Sequence, residues 1–414
     1  MRIATSQIFS TNVATMENQQ SQLLQVQQQI ASGVAISNPA DNPLGAAQAV
    51  TLSATSATLT QYASNQSTAL TALQLEDTTL TNVTSTMQSI NSLIIEAQNG
   101  SLTDTARQAI AKQMQGYRDQ LMTLANTTDG AGNYIFSGFT STSQVFSNNS
   151  SGGATYNGDS GQRVMQVAST RSISVGDTGA TVFQSVQAVG SDIVPSGSTA
   201  TTPNTGTGVI SAVTVTDPTQ ATNNDKYTIN FVTDTATNKL AYTVTDGTGT
   251  PSSPVDFTDG DTIDLGTGMK VTITGTPAVG DSFGVSPATA SQNTDVFGTI
   301  DDIISALNTP ASGSPAAAAN LNNALNTGLT RIGNSLSNVI TVQASVGGRE
   351  QEVKALQTVT SNNSLQVTSN LTDLTSTDTV AAISQYEQLS NALTASQKSF
   401  AATQNLSLFQ YINP

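Results

Sequence analysis

Three residue types with versatile chemistry are missing from this chain of 414 residues: cysteine, histidine and tryptophan. Without cysteine there is no disulfide framework, no thiolate nucleophile and no zinc–thiolate site. Without histidine the chain lacks the commonest general base and metal ligand of proteins. These absences argue against an enzyme, and they leave the redox compartment open because such a chain is indifferent to it.

Basic residues are scarce as well, with 13 lysines and arginines against 28 acids and a formal net charge of −15. Nucleic-acid binding needs clustered basic side chains, so we expect no nucleic-acid partner. An anionic membrane surface is disfavoured for the same reason. No stretch approaches the roughly 18 apolar residues of a membrane helix, and MRIATSQIFSTNVATMENQQ at the start lacks the apolar core of a secretory signal. We expect a soluble protein that, if secreted, uses another export route.

Heptad-like apolar stripes are what the chain does contain, beginning with a helix predicted over 5–34. SNPADNP at 37–43 interrupts this helix, with Asn42 as the N-cap and Pro43 as the first residue of a helix expected to run towards residue 99. A third helix is expected from about 103 to 125. The first stripe, in which two glutamines take core-type positions, consists of Phe9, Val13, Met16, Gln20, Leu23, Gln27 and Ile30.

The middle of the chain changes character. NYIFSGF at 133–139 predicts a short strand, and the alternating segment 163–175 predicts a strand that pairs nearby in a small β-hairpin. A flexible entrance is predicted over 195–208. An inserted all-β domain follows, with strands expected at 226–231, 240–244, 269–273 and 281–285.

Helices return near residue 295, and the steadiest stripe of the chain runs from Leu325 to Leu374 in steps of four and three. STD at 376–378 can cap a separate helix from Thr379 to about Tyr411. The apolar stripe of that last helix consists of Tyr386, Leu389, Leu393 and Phe400.

The order of elements is nearly palindromic, and this predicts an α+β multidomain fold. A long-helix coiled-coil bundle is built from both chain ends, with a small β-hairpin and an inserted all-β domain. We expect the N-terminal helix to pair with the C-terminal one. The predicted segments are the N-terminal half of a terminal coiled coil (1–40), a helical bundle part with the hairpin (41–185), the β insert (186–290), the second bundle part (291–375) and the C-terminal half of the coiled coil (376–414).

Charged residues avoid the chain ends. Asp41 is the single charged residue between Glu17 and Glu76, and only two charged residues follow Asp378. Compositional bias is one explanation. The other is burial in an assembly, because desolvating an unpaired ion costs several kcal/mol, whereas burying an amide or hydroxyl costs about 1–3 kcal/mol. We expect roughly 35 residues at each end to be frayed in the free monomer and ordered on assembly.

Candidate chemical sites have weak support. DFTDGDTIDLG at 256–266 holds four acids but lacks the spacing of an EF-hand loop, so a β-turn is the favoured interpretation over calcium binding. The adjacent acids Asp301 and Asp302 point apart on a helix and suit acid–base catalysis poorly. Arg349, beside two glycines in a charge-poor helix, is either solvated or the donor of an ion pair between subunits. We expect no catalytic residue, no metal and no cofactor.

Four segments resemble the bacterial flagellin superfamily. QQQIASGVAISNPADNPLGAAQAV at 27–50 and the segment 372–412 are similar to its amino- and carboxy-terminal motifs, and VGGRE at 346–350 resembles the Gly-Arg step of its last long helix. GAGNYIFSGF at 130–139 resembles the hook-filament junction branch, the FlgL family, more than flagellin. The motif residues are Asn38, Pro39, Asp41, Pro43, Tyr134, Phe136, Gly138, Gly347 and Arg349.

This resemblance implies a flagellin-like fold and a structural role as a junction ring between a FlgK-type protein and flagellin. It further implies export of the unfolded chain by the flagellar type III system, with a FlgN-type chaperone holding the C-terminal helix. The assembly residues expected on the terminal helices are Phe9, Val13, Met16, Leu23, Ile30, Tyr386, Leu389, Leu393 and Phe400. A flagellin filament subunit and a secreted adhesin with a coiled-coil stalk are the alternatives.

Overall fold

A computed structural model describes residues 2–40, 42–150, 152–184, 193–197, 203–287 and 295–405. The chain forms two compact units, which we name the terminal unit (1–65 with 355–414) and the central unit (66–354). Long helices dominate the described residues. They are α1 (Arg2–Ser32), α2 (Pro43–Ala97), α3 (Asp104–Ala125), α4 (Val296–Asn308), α5 (Pro315–Thr375) and α6 (Thr379–Asn405).

Side-chain caps set where several helices begin. The Asn42 side chain accepts a hydrogen bond from the Gly45 amide at 2.9 Å, and α2 starts at Pro43 as predicted. Asp378 accepts from the amides of Val380 and Ala381, so α6 begins at Thr379, again as predicted. The predicted end of that helix near Tyr411 lies outside the described residues.

In the terminal unit, α1 and α6 pack side by side and run antiparallel. Phe9 near one end faces Phe400 with ring centroids 5.1 Å apart, while Val34 at the other end forms an antiparallel bridge with Ser376. The predicted pairing of the N-terminal helix with the C-terminal helix is therefore confirmed.

In the central unit, the predicted heptad stripes form the helical core. The long stripe of α5 keeps Leu325, Ile332 and Val346 fully buried. The α2 stripe is also buried, at Leu73, Leu80, Val83, Met87, Ile90 and Ile94. Side chains at every third or fourth position lie on one helix face, which explains why periodicity alone located this core.

The central unit also contains antiparallel strands, in two hairpins and two larger sheets. The strands are β1 (Phe146–Asn148), β2 (Ala154–Tyr156), β3 (Val164–Ala168), β4 (Arg171–Ser174), β5 (Ile193–Ser196), β6 (Val209–Ile210), β7 (Thr214–Val215), β8 (Tyr227–Thr233), β9 (Leu240–Thr245), β10 (Val255–Asp256), β11 (Thr262–Leu265), β12 (Met269–Thr274) and β13 (Ser282–Pro287). The orders of the strands in the two larger sheets are β10-β9-β8-β13-β5 and β11-β12-β6, with β7 also paired to β12.

The β insert follows the predicted alternation. Strands lie at all four predicted places, and alternate residues of β8, such as Tyr227, Ile229 and Phe231, point into one apolar core. The acid-rich segment 256–266 contains the favoured β-turn: Gly260 has φ +87°, and the Asp261 carboxylate accepts a hydrogen bond from the Thr258 amide.

One prediction for the β regions is wrong. NYIFSGF forms consecutive turns instead of a strand, because Gly138 takes φ +74° and the Asp159 carboxylate accepts hydrogen bonds from the Phe139 and Thr140 amides. The small β-hairpin predicted for the segment 163–175 is confirmed, because β3 pairs with β4 within it.

The prediction of a flexible stretch over 195–208, at the entrance of the β insert, is also wrong for the residues of this stretch that the structure describes. Pro195 belongs to β5, which pairs with β13, and the Asp281 carboxylate accepts hydrogen bonds from the Thr205 and Gly206 amides. Strand pairing and the buried carboxylate of Asp281 therefore order a segment whose composition favours flexibility.

A row of asparagines on α5 fixes the β insert to the helix. Asn320 donates to the Asn204 carbonyl, and Asn326 donates to the Ile210 carbonyl. Asn323 lies between them, donating to the Gly208 carbonyl and accepting from the Ile210 amide at 3.0 Å each. Amides suit this role because each carries both donors and an acceptor.

Candidate assembly interface

The apolar stripe predicted on α1 is present, but its register differs from the prediction at two positions. Val13, Met16, Leu23 and Ile30 are half-buried, while Phe9 stays 50% exposed beside Phe400.

The two glutamines predicted at core positions, Gln20 and Gln27, are exposed. Their neighbours Gln19 and Val26 face inward instead. The helix thus steps by three where we predicted four, and this places the apolar Val26 inside and leaves the amide of Gln27 in water.

The α6 stripe lies where it was predicted, with Tyr386, Leu389, Leu393 and Phe400 all half-buried. Ala382, one turn before Tyr386, is 6% exposed and was missed because alanine is a weak marker of a helix face. Among the described residues of the terminal unit, Val26 and Ala382 are the only apolar side chains that are fully buried.

Large apolar side chains on the terminal unit face outward. They belong to α1, α2, α5 and α6, and the most exposed are Leu44, Val50, Leu365 and Val380, each with at least 70% of its surface accessible. Scattered exposed leucines are normal, but here they accompany a unit with almost no buried core. The terminal unit therefore leaves large apolar side chains on its surface, where a partner can cover them.

A short backbone ladder closes the corner between α1 and α2. The Ala35 amide donates to the Thr375 carbonyl at 2.7 Å, and the Thr377 amide donates to the Gly33 carbonyl at 3.0 Å. Gly33 has φ +69°, a conformation that glycine adopts at low cost. The two helix breaks predicted near residues 37 and 376 therefore meet in one ordered corner of the terminal unit.

The amino-terminal motif residues surround this corner. Asn38 and Pro39 are exposed and Pro43 opens α2, whereas Asp41 lies outside the described residues. A Cβ added at Gly45 would lie 2.6 Å from Asn42 Nδ2 and 2.8 Å from Ile36 Cδ1, so these side chains would have to shift to accept it. Asn38 and Pro39 of the motif are thus exposed to solvent, whereas the backbone at Gly45 is closely packed.

The motif residues near position 136 serve the central unit. Phe136 is fully buried and meets Phe183 edge to face, with ring centroids 5.5 Å apart. Tyr134 is half-buried and bridges to Thr128. A Cβ at Gly138 would approach Asp159 Oδ1 to 2.3 Å, so glycine is required there.

Arg349 differs from both predicted alternatives, a solvated side chain and the donor of an ion pair between subunits. Within the same chain it forms an ion pair with Asp177 and donates to the Ser174 carbonyl at 3.1 Å. The Arg349 side chain is half-buried, and Gly347, also half-buried, lies two residues earlier on α5. Its partners precede it by more than 170 residues, so sequence spacing gave no signal for them.

Glu76 on α2 adjoins this ion pair and is 2% exposed. Burial, followed by the nearby Asp177 carboxylate, raises the pKa of Glu76 from 4.5 to about 7. The predicted apolar stripe of α2 did not include Glu76, so periodicity gave no sign of an ionisable core residue there.

The two adjacent acids of α4 have separate partners, as their helical spacing predicted. Asp301 accepts from Arg118 at 2.8 Å, and Asp302 lies 3.4 Å from Arg331 Nη1. Within the described ranges, no group of three or more acidic side chains is arranged to hold a metal ion. No helix in that part of the chain is long and apolar enough to cross a membrane.

Comparisons with known proteins agree with this architecture. The family model for the bacterial flagellin N-terminal helical region matches residues 3–141. Flagellar hook-associated protein 3 of Escherichia coli (strain K12) is 28% identical over 410 residues, covering 99% of both chains.

Solved structures give the same result. The crystal structure of flagellar hook-associated protein 3 from Legionella pneumophila is 30% identical with a TM-score of 0.68, covering 78% of this chain and 98% of that one. The flagellar junction protein FlgL of the same organism is 29% identical with a TM-score of 0.66, covering 80% of this chain and 100% of that one. The fold is therefore that of the flagellin-like junction proteins, and the chain belongs to the flagellar hook-associated protein 3 (FlgL) family of the bacterial flagellum.

Proposed function

We propose that copies of this chain form a ring that joins hook to filament, with a FlgK-type protein on one side and flagellin on the other. The observation that carries this proposal is that the terminal unit has almost no buried apolar core of its own. Its paired helices fully bury only Val26 and Ala382 among the described apolar side chains, while Leu44, Leu365 and Val380 face solvent. Neighbouring copies that pack on these faces complete the core.

The lack of charge on the terminal helices supports the same proposal. α1 carries its last charged residue at Glu17, and α6 carries only Glu387 and Lys398. Exposed faces filled with glutamine, serine and asparagine can be buried between copies at low cost when their amides and hydroxyls find hydrogen bonds. Charged faces would add a desolvation penalty at every subunit.

Export in the unfolded state is part of this proposal. A chain without cysteine cannot form a disulfide that blocks threading through a type III channel. A FlgN-type chaperone would bind the half-buried stripe of α6 before export, covering Leu389 and Leu393. The exported subunit would then reach the flagellum and gain its final packing there.

Deleting the gene tests the function directly. We expect cells with complete hooks, no filaments and flagellin released into the medium. Loss of filaments without released flagellin would identify the chain as the filament subunit itself. Normal filaments combined with lost surface attachment would instead support an adhesin, and either result would overturn the junction proposal.

The free monomer should hold its terminal helices weakly. Helices gain most of their stability from packing, and the α1–α6 pair fully buries only two apolar side chains among its described residues. We expect the amides of Leu23 and Leu393 to exchange with solvent at least about 100-fold faster than that of the core residue Leu80, because local opening there costs less than global unfolding. Hydrogen exchange of monomeric protein measures this, and equal protection at the three sites would show that the ends are already complete.

A further inference from the structure

A buried cluster in the central unit contains two carboxyl groups and one guanidinium. Glu76 comes from α2, Asp177 from the loop after β4, and Arg349 from α5. The side chains of Asp177 and Arg349 are 11% and 15% exposed and form an ion pair. The Asp177 amide donates to Glu76 Oε1 at 2.9 Å, so Glu76 binds the same loop through its backbone.

The charges of this cluster do not balance when both acids are ionised. Arg349 compensates one carboxylate, and the second remains as a buried negative charge. Glu76 Oε2 is buried and receives no hydrogen bond from any described residue. An unpaired buried carboxylate is strongly unfavourable, whereas a protonated one can donate a hydrogen bond to Asp177.

Other charged groups near the cluster do not supply the missing cation. A cavity of about 250 Å³ borders Glu76 and is also lined by Arg163 and Asp129. These two interact with each other, and Arg163 helps to lower the pKa of Asp129. Asp177 and Arg349 are the charged groups that act on Glu76.

We propose that Glu76, Asp177 and Arg349 form a proton-controlled latch, in which a proton on Glu76 holds α2 to the loop after β4 and to α5, and loss of that proton loosens this joint. This inference concerns the central unit alone and does not depend on the role of the terminal helices.

The raised pKa of Glu76 fixes the direction of the effect. The folded state binds this proton up to a pH of about 7, whereas the unfolded chain releases it near 4.5. The stabilising contribution is therefore fully present below pH 4.5 and is lost as the pH rises through 7. The latch is closed in mildly acidic medium and open in alkaline medium.

Direct titration of the carboxyl group is the first test. The chain has six glutamates, so selective ¹³C labelling of glutamate gives few carboxyl signals, and Glu76→Gln identifies the one of interest. In the folded full-length monomer we expect a midpoint between pH 6 and 8 for Glu76, as an order-of-magnitude range around its raised pKa. A midpoint near the ordinary glutamate value would overturn the proposal, and the titration itself is made on the wild-type protein.

Urea unfolding of the full-length monomer is the second test. Glu76→Gln keeps the acceptor for the Asp177 amide and adds a permanent donor, so the variant imitates the protonated state. Between pH 5 and pH 8.5, the unfolding equilibrium constant of the wild type should rise relative to that of the variant by on the order of 100-fold. Glu96→Gln, an exposed substitution on the same helix, is the matched control and should follow the wild type.

The two unfolding outcomes are clearly separated. Divergence of Glu76→Gln from both the wild type and the control at alkaline pH supports the latch. Parallel curves for all three proteins would overturn it, and so would an equal divergence of Glu96→Gln.

Discussion

Leu393→Asp should leave cells with hooks but no filaments, while the purified variant keeps the helical signal and β structure of its central unit. Leu393 lies in the middle of the half-buried α6 stripe, between Leu389 and Phe400. A carboxylate there faces the packing surface that α6 needs for α1 and for neighbouring copies. Burying an unpaired charge costs several kcal/mol, and a ring repeats this cost at every subunit.

Complementation of a deletion strain measures this effect by motility and by electron microscopy of hooks. Leu393→Met is the matched control, because methionine has a similar volume and usually costs less than about 1.5 kcal/mol in a packed site. Circular dichroism of the purified monomers shows whether the central unit is intact. Motile cells with normal filaments from the Leu393→Asp strain would contradict the proposed role of α6.

Periodicity predicted the long helices well, because a stripe such as Leu325 to Leu374 has no competing interpretation over that length. The first residues of α2 and α6, Pro43 and Thr379, could also be predicted from the sequence, since a cap is a local arrangement of side chain and backbone. The α+β layout followed from the order of these segments. Local signals therefore described most of the fold.

Long-range contacts account for the features that the sequence did not reveal. NYIFSGF has the composition of a strand, but Asp159, some twenty residues later, accepts hydrogen bonds from its last amide, that of Phe139, and from the following Thr140 amide, and holds it in turns. The role of Arg349 depends on Asp177, far away in the chain. The asparagine row on α5 looks like ordinary helix surface until the backbone of the β insert lies against Asn323.

The residues predicted to mediate assembly were partly correct in their placement on the helix faces. The apolar stripe of α6 was predicted residue by residue, and the stripe of α1 was shifted at Gln20 and Gln27. A polar helix with few strong hydrophobic residues does not fix its own register, because the partner helix decides which face is inside. Val26 is inside because α6 packs there.

Arg118→Met should lower the free energy of unfolding of the central unit by about 3–5 kcal/mol, the usual cost of removing one partner from a buried ion pair. The Arg118 side chain is 5% exposed, and its guanidinium connects α3 to α4 through Asp301 at 2.8 Å. It also donates to Asn148 Oδ1 at 2.7 Å and to the Gly153 carbonyl at 3.3 Å, and it lies 5.9 Å from the centroid of the Phe297 ring. Methionine keeps part of the apolar volume but removes the cation that compensates Asp301 and the donor to Asn148 Oδ1, while the Gly153 amide still donates to Asp301.

Urea unfolding at neutral pH, followed by circular dichroism, measures this loss. Arg171→Met is the control, because Arg171 pairs with Glu352 at the surface, where an ion pair contributes little. Adding Asp301→Asn to Arg118→Met should recover part of the lost stability, since the double variant no longer contains the uncompensated carboxylate. If Arg118→Met behaves like the surface control, the cluster around Asp301 does not hold α3 and α4 together, and the apolar stripes alone must stabilise the central unit.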